Sequence, residues 1–295
     1  MPLPIAERLD RILQNAIDGG PPDREDCIYL LDLPATSLEA RLVRSVADAA
    51  ARCRFNDEAV LLGWIEHGTR APEEVVSTAK DLAQDRDLYA VCLAAEGFDA
   101  GRLADTVQAA RASIPPETQL IVQVANLTQA QARDLLEGGV QGARCACASP
   151  SQEDTLRIIR DAGLDIYYFC GPVGPEQGSA ELVGQIFRGV EYSCLHHGVT
   201  QRVPVRGRAA GERGQITQLR LAQVVAVVAL ATLGCEETEA VAVHEPNSLG
   251  LTAGANVVYG RDLAAARSML YETGFVALRR GDGSCGALDP PYRKQ

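Results

Sequence analysis

The sequence predicts an α/β fold, a (β/α)8 TIM-type barrel carrying an N-terminal helical cap. Three observations predict it. From Val60 onward a short apolar strand followed by a polar-faced helix recurs about eight times. The strands are rich in Val, Ile, Leu and Tyr, and their alternation with helices indicates a parallel sheet. The 295 residues, 46% hydrophobic, suffice for one barrel of about 250 residues and an added cap. A doubly wound open sheet is the competing arrangement.

Residues 1–56 read as helical. Ile5, Leu9, Ile12, Leu13 and Ile17 recur at helical spacing, and Gly19-Gly20-Pro21-Pro22 ends that helix. A second helix covers 24–32, and Ser37 caps a third over 38–53. This region is expected to cap the barrel floor. The barrel itself is assigned to 57–280. Its strands fall near 60–66, 88–94, 118–124, 140–146, 165–170, 190–195, 239–244 and 256–259. Its helices fall near 72–84, 101–114, 128–138, 151–163, 179–188, 214–233, 247–253 and 262–273. Residues 281–295 are Gly/Pro-rich and read as a loosely ordered tail.

Composition narrows the function. The net charge is −11 and no Lys/Arg cluster stands out, which argues against nucleic acid or an anionic membrane as a partner. The stretch Leu221–Gly234 is too short to span a bilayer and carries Gln223, so it reads as a buried core helix. Met1–Arg8 is charged too early for a signal peptide. The nine Cys are odd in number and scattered, which suggests reduced thiols and a cytoplasmic protein.

Barrel chemistry sits at the C-terminal ends of the strands. On the assigned strands, His67, His196, His197 and His244 each fall just after a strand, on one face. Glu66, Glu96, Asn126, Glu245 and Asn247 share that face. Imidazoles beside carboxylates can move protons or bind a divalent metal. No His-x-His or Glu-x-x-His pair occurs, so no metal ligands are assigned. The catalytic candidates are His67, His196, His197, His244 and Glu245, with plain polar capping of the barrel mouth as the alternative. Gly171-Pro172-Val173-Gly174-Pro175 follows the fifth strand, where glycine permits close approach of backbone to a ligand, or simply a turn. Arg202-Val203-Pro204-Val205-Arg206-Gly207 reads equally as a ligand-facing loop or a turn.

The order of these segments resembles the biotin-synthase-like branch of the radical S-adenosylmethionine (SAM) enzymes, which includes biotin synthase, the hydrogenase maturase HydE and the methylornithine synthase PylB. Gly63-Trp64-Ile65-Glu66 resembles the first strand of that branch, and Ala95-Glu96-Gly97 a worn Gly-Gly-Glu element. Arg202–Gly207 resembles its Arg-Val-Pro-Val-Pro-Gly loop. His244-Glu245-Pro246-Asn247 and Ala253–Val258 resemble the last two units. The resemblance implies a cofactor pocket contacted by Glu96, Gly97, Gly171, Gly174 and Arg202, with S-adenosylmethionine or a small polar metabolite as the ligand.

The departures matter as much. The branch carries Cys-x3-Cys-x2-Cys after its first strand, and these thiolates hold a 4Fe–4S cluster. Here His67–Ala71 contains no Cys, no Cys-x-x-Cys occurs anywhere, and Ala146 stands where an acidic or amide residue is usual. A 4Fe–4S cluster is therefore not expected. The leading expectation is a non-radical or accessory member of a cofactor- or sulfur-metabolite pathway, forming a heteromer with an intact radical SAM paralogue. The alternatives are an acid–base or metal enzyme rebuilt on the His/Glu set, and a radical enzyme whose cluster comes from a partner.

Overall fold

The computed structural model describes residues 5–66, 71–94, 100–146, 150–202, 214–244 and 247–290. Three helices come first: α1 (Ile5–Ile17), α2 (Arg24–Asp32) and α3 (Leu38–Arg54). The repeats follow as β1 (Glu58–Glu66), α4 (Pro72–Leu82), β2 (Ala90–Ala94), α5 (Ala100–Ser113), β3 (Gln119–Gln123), α6 (Gln129–Glu137), β4 (Gly142–Ala146) and α7 (Pro150–Ala162). They continue as β5 (Asp165–Val173), α8 (Ser179–Glu191), β6 (His196–Gln201), α9 (Gln218–Ala231), β7 (Ala240–Val243), α10 (Ser248–Leu251), β8 (Val257–Gly260) and α11 (Leu263–Glu272). A hairpin of β9 (Ala277–Arg279) and β10 (Cys285–Ala287) completes the described elements.

Strands β1 to β8 neighbour one another in sequence order, and β1 pairs with β8 as well as β2. That pairing closes a (β/α)8 barrel. Closure satisfies the backbone groups that an open edge would leave exposed. β9 pairs with the start of β1, Glu58 opposite Ala277, below the β1–β8 ladder.

Two compact units share the chain. One comprises Asp57–Tyr168 with Val257–Gln295. Its strands read as near-continuous apolar runs because parallel strands are covered on both faces. All five residues of β2 are buried. Gly142 of β4 is required by its neighbour: a Cβ there would stand 2.3 Å from the Tyr167 ring. The Tyr167 hydroxyl donates to Gln119 Oε1 at 2.7 Å. The segment expected to be a loose tail instead turns back as a hairpin through Leu288. Arg280 N donates to Ser284 O, and Gly283 takes φ +81° in the turn. Leu288 is buried and its N–H donates to Val276 O.

The other unit comprises Met1–Asn56 with Phe169–Asn256. Helix α9 is buried over Leu221–Ala231, as the apolar stretch predicted. Its one interior amide is used: Gln223 Nε2 donates to Leu30 O at 2.7 Å and Leu33 O at 2.9 Å. α3 runs along α9, and α2 packs on α8 and α9. The cap therefore packs along these helices. Gly254, at φ +102°, brings its backbone within reach of α9 and α3, where a Cβ would stand 2.7 Å from Ala229 Cβ and 3.1 Å from Ala47 O.

One boundary changes the functional reading. The sequence places the sixth strand at 190–195, but α8 continues to Glu191 and β6 begins at His196. Val190 and Tyr192 belong to the helix end, where Tyr192 N donates to Arg188 O, and Ser193 turns the chain at φ +49°. The true strand, His-His-Gly-Val-Thr-Gln, lacks an apolar run and so gives no strand signal.

Candidate functional site

The corrected boundary separates the histidines. His196 and His197 open β6 instead of following a strand. His196 is in register with Ala240, the first residue of β7, and His197 with Val241. His244 follows β7, its N–H donating to Val199 O at 3.0 Å. It therefore stands three to four residues, about 10–13 Å, farther along the strands than the pair. His196 and His197 are fully buried and, as successive strand residues, point to opposite faces. His197 Nε2 lies 3.4 Å from Cys170 Sγ. Burial pushes its pKa down to about 3, so the ring is neutral at physiological pH. A ring this far from pH 7 makes a poor proton carrier. The His244 ring meets Phe169 edge-on, at 6.1 Å and 80°. Gly198 leaves room for that Phe169: a Cβ there would stand 2.4 Å from its ring. His67 and Glu245 lie outside the described residues, so the five-membered catalytic set is not assembled among those described.

The predicted ligand loop is partly brought together. Gly171 lies inside β5 and Gly174 just after it. Arg202 follows β6, and its N–H donates to Val173 O at 2.9 Å. The guanidinium of Arg202 pairs with Glu176. The chain itself explains both glycines. A Cβ on Gly171 (φ +116°) would stand 2.5 Å from Thr200 O, and one on Gly174 would meet the Glu176 and Arg202 side chains. Glu96 and Gly97, and all of the Arg202–Gly207 loop beyond Arg202, lie outside the described residues.

A cluster that sequence reasoning did not single out lies in the other unit. Arg144, on β4, is only 5% exposed. Its Cζ is 5.0 Å from the centroid of Trp64 and 5.4 Å from that of Tyr259. The two rings stand at 84° with centroids 5.8 Å apart, so the cation occupies the corner between them. Nη1 of Arg144 donates to Gln123 Oε1. Burial raises the Tyr259 pKa, opposed by the charge of Arg144 and a hydrogen bond from it, and leaves the phenol protonated. Cys92 shares this interior, and burial pushes its thiol up to about 12 against the pull of Arg144. The four polar and aromatic members lie near the C-terminal ends of β1, β3, β4 and β8, the level at which barrels place their chemistry. The signal in the sequence was Arg144 itself, a cation inside Gly-Ala-Arg-Cys-Ala, where small neighbours leave it room.

The residues present do not fit a 4Fe–4S cluster at the first join. β1 ends at Glu66 and α4 starts at Pro72, leaving five residues without a thiol. A 4Fe–4S cluster is held by Cys thiolates. Among the described residues no group of three His, Cys, Asp or Glu is placed to hold a metal ion.

Comparison with solved structures places the architecture. Over 92% of this chain it matches HydG, a maturase of the FeFe-hydrogenase, at 12% identity with a TM-score of 0.76, covering 75% of that chain. The HydG of Carboxydothermus hydrogenoformans matches with a TM-score of 0.74 at 12% identity, over 92% of this chain and 79% of its own. Methylornithine synthase (PylB) matches at 14% identity with a TM-score of 0.73, over 90% of this chain and 96% of its own. The fold is a (β/α)8 barrel of the kind seen in HydG and PylB. At these identities the likeness concerns the fold alone. No family model matches the sequence, and no curated protein matches it. Among the described residues no helix is long and apolar enough to cross a membrane.

Proposed function

We propose that this chain is a radical SAM barrel that works without an iron–sulfur cluster, as a non-radical or accessory protein of cofactor or sulfur-metabolite biosynthesis. Its interior would hold S-adenosylmethionine or another small polar metabolite, and its partner would be an intact radical SAM paralogue. One observation carries this reading: the first strand–helix join is five residues long and contains no Cys. The short join supplies none of the three thiolates that such a cluster uses. The neighbours HydG and PylB support the barrel, and the resemblance of its segments to radical SAM enzymes favours that ligand class.

Two measurements test it. Anaerobic isolation followed by iron and sulfide analysis is expected to give neither element in stoichiometric amount, and a 4Fe–4S absorbance spectrum would overturn the reading. Calorimetry with S-adenosylmethionine, S-adenosylhomocysteine and 5′-deoxyadenosine is expected to give heat with at least one. The rebuilt His/Glu centre draws less support, because His197 is neutral and buried and His196 shares its end of β6.

A further inference from the structure

We propose that the Arg144 corner is a binding subsite for a small organic monocarboxylate, with Arg144 taking the carboxylate and Trp64 and Tyr259 the flat body beside it. The proposal rests on the reading that the barrel interior keeps a small-molecule pocket, and names the ligand class for it.

Four features of the corner argue for a ligand rather than for packing alone. Its donors converge: a guanidinium, a phenol and a primary amide meet from β4, β8 and β3. Small-molecule sites have this makeup, apolar and aromatic walls with a few placed polar groups. It lies at the C-terminal level of the strands. It is not wholly sealed within the core: Trp64 and Gln123 are only part-buried, although Arg144 is 5% exposed.

The chemistry of the corner selects the ligand. A guanidinium presents a planar fork that matches a carboxylate through two parallel N–H···O bonds. The two perpendicular rings beside the fork are aromatic surface against which a flat group can stack. Arg144 is the only buried Lys or Arg among the described residues. The Tyr259 phenol stays protonated and remains a hydrogen-bond donor at neutral pH. Removed from bulk water, each of these contacts is worth more than it would be on the surface.

Trp64 is the single tryptophan of the chain and so reports on this corner alone. Its fluorescence would be titrated with benzoate and acetate, against benzamide, acetamide and inorganic phosphate. A saturable change with the carboxylates and none with the amides is expected. In Arg144→Gln the carboxylate affinity should fall about tenfold or more, the size of a charged hydrogen-bond pair. Arg144→Lys, which keeps the charge and loses the fork, should fall between. Circular dichroism on each variant establishes folding, and Tyr259→Phe gives a second, milder variant should Arg144→Gln fail to fold. Equal response to acid and amide, tighter binding of phosphate, or unchanged carboxylate affinity in the folded Arg144 or Tyr259 variants would overturn the subsite, as would no response to either carboxylate. The wider reading fails separately. Heat from S-adenosylmethionine without any carboxylate response would leave the pocket standing and remove the subsite, and the reverse would remove only the S-adenosylmethionine assignment.

Discussion

Each unit of this chain buries one charged side chain among its described residues, and the two are accommodated differently. Asp26 of α2, 5% exposed, is met by countercharge. Arg8 donates to its Oδ1 at 2.8 Å, Arg11 to its Oδ2 at 3.0 Å, and its own N–H bonds the capping Asp23. Arg144 of β4 is met by two ring faces, a phenol and an amide. The first arrangement fastens α1 to α2 and needs nothing more. The second places a cation among groups that can also receive a small molecule. The same cost, removal of a charge from water, thus serves helix docking in one unit and a candidate site in the other.

The sharpest way to break the comparison is to overfill each interior. Gly198 lies under Phe169 in one unit and Gly142 under Tyr167 in the other. Gly198→Val and Gly142→Val each force a side chain into a ring, and each should cost about 3 kcal/mol or more in urea unfolding. Equal loss in both is the expected outcome. A tolerated Gly142→Val would mean that Tyr167 is free to move, and the aromatic interior of that unit would not be rigid.

Next come the two charges themselves, where the expected sizes differ. Asp26→Ala removes the acceptor of two guanidinium groups that already reach solvent, and should destabilise by about 2 kcal/mol. Arg144→Met removes the donor to Gln123 and Tyr259, and should destabilise by about 1 kcal/mol. A small loss of stability with loss of carboxylate binding is the pattern of a functional charge. A large loss would make Arg144 a structural element like Asp26.

How much of this was legible in the sequence depends on what each segment had to bury. β2, β3 and β7 are covered on both faces and read as apolar runs. α9 is apolar all round because it is buried all round. β6 was illegible because its fully buried positions hold His196 and His197, which hydropathy scores as surface. The closing hairpin was illegible because Gly281-Asp282-Gly283 was read as loose chain, although an Asp-Gly pair between two short strands is also a turn signal. The same misplaced boundary put His196 and His197 at the wrong end of their strand relative to His244. The Arg144 corner was missed because Arg144, Trp64 and Tyr259 are distant in sequence and only barrel closure brings β8 beside β1.

The unit holding Asp26 also holds His197, whose titration gives the most specific expectation. His197 is held neutral in the fold with a pKa of about 3, against about 6.5 for an unfolded chain. Between those values the unfolded state binds the proton and the folded state does not. Stability from this residue is therefore fully present above pH 6.5 and declines as pH falls toward 3, by up to about 1.4 kcal/mol per pH unit. Many carboxylates titrate in the same window, so the difference between wild type and His197→Asn carries the information. Their unfolding free energies should converge as pH drops from 6.5 to 4, with the wild type losing about one proton's worth of slope more than the variant. Parallel curves would mean that the imidazole accepts a proton inside the fold. In that case the Cys170–His197 contact would be an accessible acid–base pair, and the rebuilt His/Glu centre would regain its standing.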